Sequence, residues 1–204
     1  MTVESPTIVQ PVSAPVVGTG PRSGGAKLRV LDTADRLFSD EGIRVVGVDR
    51  LIAESSVTKA TFYKHFGAKD TLVLHYLTRR HEADVAEHDE VASSIADGAE
   101  ALRELVERLA ARLQKVGFRG SPYANAAAEF SDPTHPVRGL VAEHREWRTG
   151  AYAELFQRAG HAMPGDAADD LQLAVNGAQL GAYAGDAIAA VASLRRTVDR
   201  LLAA

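Results

Sequence analysis

The sequence predicts an all-α protein, and three observations indicate it. Apolar residues recur at three- and four-residue spacing from Ala26 onward, and no segment shows the alternation of apolar and polar residues that a half-buried strand would need. Glycine and proline cluster at 117–122, 132–136 and 164–165, where we expect breaks between helices. The chain has 204 residues, of which 46% are hydrophobic and 25% are charged, so it can bury a core.

The helices can be placed in order along the chain. The first helix has an apolar face made of Val30, Leu31, Ala34, Leu37 and Phe38. Gly42 is expected to end it in a left-handed C′ position. The clearest apolar stripe runs from Leu102 to Val116. Further helices are expected at about 48–54, 58–65, 69–92, 137–159, 167–184 and 187–203.

Residues 1–25 differ from the rest of the chain. They contain four of the eight prolines and four glycines, and they have no periodic apolar face, which predicts a disordered tail. The basic start and the uninterrupted apolar run of a secretory signal are missing, so we expect a cytoplasmic protein.

The formal net charge of −4 conceals a division along the chain. Residues 22–80 hold eleven Lys and Arg against seven Asp and Glu, whereas residues 81–204 hold twelve against nineteen. Such an asymmetry suggests a polyanion-facing module joined to a module with another role. The absence of cysteine excludes disulfide scaffolds, Cys-ligated zinc and thiol nucleophiles, and it fits a reducing compartment.

The segment DRLIAESSVTKATFYKHF at 49–66 reads as two short helices joined by a turn. Thr58 is a good N-cap for the second helix, and Phe62 and Phe66 point inward one turn apart. The outward residues include no carboxylate and are Lys59, Thr61, Tyr63, Lys64 and His65. A helix with such a face can approach phosphates, and its width suits the major groove of DNA.

Three parts of the sequence together resemble the N-terminal helix-turn-helix of the TetR family of bacterial transcription regulators. These are Gly42, LIAESSVTKATFYKHF at 51–66, and Lys69-Asp70-x-Leu72, and the stretch NAAAEFSDPTHP at 125–136 is also similar to many members. The resemblance implies a three-helix DNA-binding domain at 26–68 and a larger helical domain for effector binding and dimerisation at 69–204. Lys59 and Thr61 would read bases, while the other residues would mainly position the protein on phosphates. The predicted DNA contacts are Arg44, Thr58, Lys59, Thr61, Tyr63, Lys64, His65 and Lys69.

The sequence departs from the family pattern at three places. Ser56 stands where glycine is usual, so it must adopt a positive φ or shift the turn. Gly47 replaces the Ser or Thr that normally caps the second helix. Gly67-Ala68 replaces the usual Pro-Ser ahead of the fourth helix. None of these changes removes a predicted DNA contact.

The segment at 173–192 is apolar, but its polar residues and its many alanines and glycines argue against a membrane span. It reads instead as a helix that is apolar on two sides, which serves its own core and a partner. Ile188, Val191, Leu194, Val198 and Leu201 follow at the spacing of an interhelical seam. The resemblance implies a homodimer formed by helices near 167–203, and hence an inverted-repeat operator on double-stranded DNA. Repression is the usual mode of the family.

Family members commonly release DNA when a small molecule binds in the C-terminal domain. The candidates for such an effector pocket are Phe118, Tyr123, Asn125, Phe130, His144, Trp147, Tyr152, Phe156, Asn176 and Gln179. The acidic excess of this domain could favour a cationic effector, although solvated helix faces explain the excess equally well.

The sequence leaves two other classes of function open. His81, Asp84 and His88 share a helix face and could hold a metal in a sensor or an enzyme. However, the chain contains no HExxH motif, phosphate-binding loop or nucleophile motif, so we predict no catalytic residue, no cofactor and no metal site. A helical interaction protein without DNA binding is the second alternative, and the donor face at 58–65 argues against it.

Overall fold

The computed structural model describes residues 25–204, which fold into nine α-helices without a β-strand in that range. The prediction of an all-α protein is confirmed. The helices are α1 (Ala26–Glu41), α2 (Val48–Ser55), α3 (Lys59–Phe66), α4 (Lys69–Ser94), α5 (Gly98–Leu113), α6 (Pro122–Glu129), α7 (Pro136–Arg158), α8 (Pro164–Ala184) and α9 (Ala187–Leu202). The tail expected at 1–25 lies almost entirely outside the described residues.

The turns around α2 follow the sequence in most details. Ser56 adopts the left-handed conformation, with φ 54° and ψ 46°, where the family pattern has glycine. The Thr58 hydroxyl caps α3 by accepting a hydrogen bond from the Thr61 amide at 3.1 Å, as predicted. The prediction for Gly42 is wrong in part, because its φ of 97° is positive but its ψ of 157° is extended. Its amide still ends α1 by donating to the Phe38 carbonyl at 3.1 Å.

The predicted helix pattern is wrong at three places. Helix α6 was not predicted, although Ser121 caps it and Pro122 occupies its first turn. The break expected at 164–165 is instead the first turn of α8, where proline needs no amide donor. Val116, the last residue of the predicted stripe, lies beyond the end of α5 and is fully exposed.

The buried apolar residues form two cores, and α4 and α7 contribute to both. The first core gathers α1, α2, α3, the first half of α4, α6 and the start of α7, and it includes Leu37, Phe62, Leu77, Ala126 and Val137. The second core is formed by α5, α8, α9 and the last parts of α4 and α7, and it includes Leu102, Phe156, Leu171 and Leu194. Packing is therefore continuous across residue 68, the expected boundary between the two domains.

Helices α8 and α9 pack against each other and against α7 and α5. Val191, Leu194 and Val198 of the predicted seam are buried in the second core of the same chain. Ile188, in contrast, is 78% exposed. The seam is therefore mainly intramolecular, and the exposed apolar residues of this region are Leu173, Leu180, Tyr183 and Ile188. Within residues 25–204, no helix has both the length and the apolar run that a membrane crossing requires.

Gly98 at the start of α5 lets this helix approach the end of α7. A Cβ at this position would lie 2.2 Å from the Leu155 carbonyl oxygen and 2.7 Å from the Ala159 amide nitrogen. Both neighbours are backbone atoms, so the clash cannot be relieved by turning a side chain. The approach of α5 to α7 thus depends on the missing side chain.

We expect Gly98→Ala to lower the free energy of unfolding by about 1–3 kcal/mol, because the two helices must separate. Gly150→Ala is the matched control, since Gly150 is exposed within α7 and a Cβ there meets no atom within 4 Å. This control should raise stability by about 0.5–1 kcal/mol through the lower backbone entropy of the unfolded chain. Thermal and urea unfolding measure both, and equal effects of the two substitutions would contradict the packing argument.

Candidate functional site

The first candidate site is the exposed side of α3, which we call the α3 surface and define by Lys59, Thr61, Tyr63, Lys64 and His65. Phe62 and Phe66 anchor the opposite side of the helix, because they are 0% and 3% exposed in the first core. Lys59, Tyr63, Lys64 and His65 are exposed, and Thr61 is half-buried. The helix therefore presents the face that its sequence predicted.

The two lysines of the α3 surface are free to meet a ligand. Neither Lys59 nor Lys64 forms a hydrogen bond or an ion pair within residues 25–204. The hydroxyl oxygens of Thr58 and Thr61 lie 2.8 Å apart and are hydrogen bonded to each other. Thr58 is thus committed to the start of the helix, while Thr61 keeps further hydrogen-bonding capacity.

Elsewhere in residues 25–80, arginines are neutralised by carboxylates. Arg36 pairs with Glu54, and Arg50 bridges Glu41 and Glu54 at 2.5 Å and 2.7 Å. Arg79 and Arg80 bind Asp32 and Asp35 at 2.6 Å and 2.8 Å. The cations of residues 25–80 that form no ion pair with a carboxylate include the two lysines of the α3 surface, Lys27 of α1 and two further predicted contacts.

Those two contacts, Arg44 in the loop before α2 and Lys69 at the start of α4, lie next to each other. The Lys69 ammonium donates to the Arg44 carbonyl at 3.3 Å, and burial lowers the pKa of Lys69, although Glu129 and Asp70 oppose that shift. The Arg44 guanidinium lies over the Phe130 ring at 5.9 Å from its centroid. Both residues are thus tied to the junction with the C-terminal helices.

Glu129, the last residue of α6, connects this helix to the loop between α1 and α2. Its carboxylate accepts hydrogen bonds from the backbone amides of Ile43 and Arg44 at 2.9 Å and 2.6 Å. These amides belong to the loop between α1 and α2, which sequence reasoning did not connect to α6. The only sequence signal was the similarity of the 125–136 stretch to the family, which gave no role for this carboxylate.

The second candidate site is a cavity of about 510 Å³ between the two cores. Phe38, Ile43 and Tyr76 line it from the first core, and Leu109 lines it from the second, with Leu105 and Tyr152 packed against that core. Six of the ten predicted pocket residues lie on its wall, namely Phe118, Tyr123, Asn125, Trp147, Tyr152 and Gln179.

The other four predicted pocket residues do not line this cavity. Phe130 belongs to the first core and Phe156 to the second, because their rings pack between helices. His144 is 1% exposed and stacks on Tyr123 with 3.5 Å between ring centroids. Asn176 borders a separate space of about 70 Å³.

Sequence reasoning missed the charged residues of the cavity wall, which are Arg80, Asp84, Glu87, Arg112, Lys115, Arg119 and Arg148. Arg112 binds Glu87 at 2.5 Å, and Arg80 binds Asp35. Arg148 could have been found, because it stands four residues before Tyr152 and seven before Leu155, on the apolar face of α7. A cation on such a face signals a buried partner or a ligand.

The predicted metal alternative at His81, Asp84 and His88 gains no support from the geometry. Asp84 accepts a hydrogen bond from the Tyr123 hydroxyl at 3.1 Å, and burial raises the pKa of this carboxyl. His81 Nδ1 lies 3.1 Å from His144 Nδ1, and His88 Nδ1 lies 3.3 Å from Asp89. Burial lowers the pKa of His144 to about 3, so this ring is neutral. The part of the chain that the structure describes contains no group of three or more potential metal ligands.

Comparisons with known proteins agree with this architecture. The family model described as "Bacterial regulatory proteins, tetR family" matches residues 30–76, which hold α2, α3 and parts of α1 and α4. The HTH-type transcriptional regulator LmrA of Bacillus subtilis is 26% identical over 140 residues, which cover 67% of this chain and 74% of that protein.

Solved structures extend the likeness to the whole fold. SCO4454, a TetR-family transcriptional regulator from Streptomyces coelicolor, is 33% identical with a TM-score of 0.84, and the match covers 87% of this chain and 94% of that chain. The regulator CifR, in a structure that contains a 26-base-pair operator DNA, is 17% identical with a TM-score of 0.74, over 88% of this chain and 98% of that chain, and so shows a shared fold. Because the match to SCO4454 exceeds 30% identity over most of both chains, this chain belongs to the TetR family of bacterial transcription regulators, which bind DNA, function as dimers and are not enzymes.

Proposed function

We propose that this protein represses transcription by binding an inverted-repeat operator through the α3 surface of two subunits. The observation that carries the proposal is the α3 surface itself, whose lysines have no ion-pair partner among residues 25–204, while Arg50 and Arg80 are paired with carboxylates. Lys59 and Thr61 read bases, and Arg44, Thr58, Tyr63, Lys64, His65 and Lys69 position the domain on phosphates. The proposed location is the cytoplasm, where bacterial DNA lies.

The proposed subunit contact uses the exposed apolar residues of α8 and of the start of α9. Leu173 and Leu180 are both 65% exposed, and Ile188 is 78% exposed, next to a well-packed core. A patch of this kind on a protein of a dimeric family supports a two-fold interface. The dimer would present two α3 helices about 34–36 Å apart, one turn of DNA, to the two halves of the operator.

The effector part of the proposal concerns the cavity between the cores. A small molecule held there would contact Phe38 and Ile43 of the DNA-binding part, assigned to 26–68, and helices of the remaining part, 69–204. Glu129 connects the same two parts through the Ile43 and Arg44 amides. Occupation of the cavity would therefore change the setting of α2 and α3 relative to the dimer and lower DNA affinity.

DNA binding is tested with Lys59→Ala and Lys64→Ala. Each should weaken binding to the operator by about tenfold or more. Lys64→Ala, which removes one phosphate contact per subunit, should also flatten the salt dependence by roughly 1.8 log units per log unit of salt for the dimer. Arg145→Ala is the control, because it removes one positive charge from an exposed position of α7 that lies outside the α3 surface and outside the cavity wall. The measurement is fluorescence anisotropy on operator DNA selected from a random pool. Equal affinities for the wild type and both α3 variants would refute the site.

The subunit contact is tested with Leu180→Glu, which places a carboxylate in the proposed interface. We expect the dimer to dissociate to a 21.7 kDa monomer, because the buried charge would lack a partner. Val116→Glu makes the same chemical change at a fully exposed residue outside α8 and α9, and it should leave the dimer intact. Analytical ultracentrifugation distinguishes these results, and a dimeric Leu180→Glu protein would place the interface elsewhere.

The junction is tested with Glu129→Gln. An amide offers one oxygen where the carboxylate offers two, so at least one of the two backbone amides loses its acceptor. We expect the Ile43 and Arg44 amide hydrogens to exchange about tenfold faster, which corresponds to roughly 1.4 kcal/mol. Glu143→Gln on the exposed side of α7 is the control. Unchanged exchange at both amides, followed by NMR, would show that Glu129 does not hold this loop.

A further inference from the structure

Arg148 of α7 lines the cavity and is held by two neutral side chains. Its Nε donates to Gln172 Oε1 at 2.8 Å, and its Nη2 donates to Asn176 Oδ1 at 3.1 Å. The Gln172 amide in turn donates to Asn176 Oδ1 at 3.1 Å, which fixes the two acceptors relative to each other. Gln172 is 1% exposed, so the guanidinium rests on a buried and ordered support.

The charge of Arg148 is not compensated by an ion pair. The other two arginines that reach into the cavity from α4 and α5 have carboxylate partners, since Arg80 binds Asp35 and Arg112 binds Glu87. No carboxylate within residues 25–204 forms an ion pair with Arg148. A guanidinium is always charged and has five donor hydrogens, so holding it half-buried with neutral partners leaves it short of an anion.

Two further cations, Lys115 and Arg119, line the wall. Lys115 and Arg119 are exposed beside the cavity and have no carboxylate partner among the described residues, although Arg119 lies over the Tyr183 ring at 5.1 Å. Asp84 is the one wall carboxylate that no ion pair with Lys or Arg neutralises within the described range, and burial raises its pKa although the charges of Arg112 and Arg148 oppose that shift. The wall therefore disfavours a cationic effector, contrary to what the acidic excess of the sequence allowed.

Aromatic side chains line the same cavity as Arg148. Trp147 precedes Arg148 in the chain, Tyr152 follows one turn later, and both line the cavity with Phe118. Planar rings of this kind bind an apolar ligand body, while a fixed guanidinium binds a planar oxyanion. The cavity volume of about 510 Å³ accommodates two or three fused or linked rings.

We propose that the effector is an amphipathic organic anion whose oxyanion binds Arg148 and whose aromatic or otherwise apolar body packs against Trp147, Tyr152 and Phe118. The proposal rests on the effector cavity proposed above and specifies what the cavity selects. Gln172 and Asn176 are positioning residues, because they act through Arg148. The free Nη1 of Arg148 provides the donor hydrogens that the anion takes up.

The test compares two probes that share one aromatic skeleton. 8-Anilinonaphthalene-1-sulfonate carries an oxyanion, and N-phenyl-1-naphthylamine is the same arylamine without it. Fluorescence titration of the dimeric full chain should give tighter binding of the sulfonate than of the neutral amine. Arg148→Gln should weaken sulfonate binding about tenfold or more and change amine binding less than about twofold. Arg145→Gln, which removes an exposed arginine of the same helix outside the cavity wall, should change neither.

A second variant tests the charge without removing the arginine. Asn176→Asp replaces the neutral acceptor of Arg148 by a carboxylate, at an exposed residue where the change should not prevent folding. It should also weaken sulfonate binding selectively, and it keeps the test valid if Arg148→Gln fails to fold. Equal loss of both probes, or no loss of the sulfonate in either folded variant, would overturn the oxyanion assignment while the cavity itself stands. If neither probe bound the wild type, the effector cavity and this proposal would both fall.

Discussion

The hydrogen bonds from the Ile43 and Arg44 amides to the Glu129 carboxylate join the two halves of this protein. Helix α6 ends at this carboxylate, and the loop that leads into α2 begins at the amides it holds. Hydrogen bonds from backbone amides to a charged carboxylate are stronger than hydrogen bonds between neutral groups, so the loop is fixed to α6. Phe130, the next residue along the chain, carries the Arg44 guanidinium on its ring. Any movement of α6 therefore also displaces α2, and it displaces α3 because the Ser56 turn joins α3 to α2.

The ion pairs of the DNA-binding helices matter more for the distribution of charge than for stability. Pairs such as Arg50 with Glu41 and Arg79 with Asp32 are exposed, and exposed pairs contribute roughly 0–1 kcal/mol each. Their effect is to neutralise arginines on the sides of α1, α2 and α4, whereas the lysines of α3, Lys27, Arg44 and Lys69 form no ion pair with a carboxylate of residues 25–204. A net charge of −4 is thus compatible with a positive contact surface, because the local potential of that surface is set by the charges that have no ion-pair partner.

Local patterns in the sequence predicted the helical class, the Thr58 cap, the inward phenylalanines of α3 and the exposed face beside them. These features depend on residues within one or two helical turns of one another. The errors arose where tertiary contacts decide. The stripe ending at Val116 has helical spacing, but the chain turns after Leu113, and Pro164 starts a helix where a break was expected. Four of the ten predicted pocket residues lie outside the cavity, because spacing cannot say whether an aromatic ring meets another helix or a void. Arg148 was overlooked since its support, Gln172 and Asn176, lies on a helix more than twenty residues away.

The position of the cavity explains how a weak ligand contact could govern DNA binding. Its wall combines Phe38 and Ile43 from the first core with Leu109 of the second core and Tyr152 packed against it, so its shape depends on how the two cores sit relative to each other. A ligand shifts that equilibrium only by the difference between its affinities for the two arrangements. A tenfold change in DNA affinity requires a difference of about 1.4 kcal/mol, which is the order of one net hydrogen bond. Ile43 both lines the cavity and donates its amide to Glu129, so a ligand that displaces this one residue acts on a bond of the required strength.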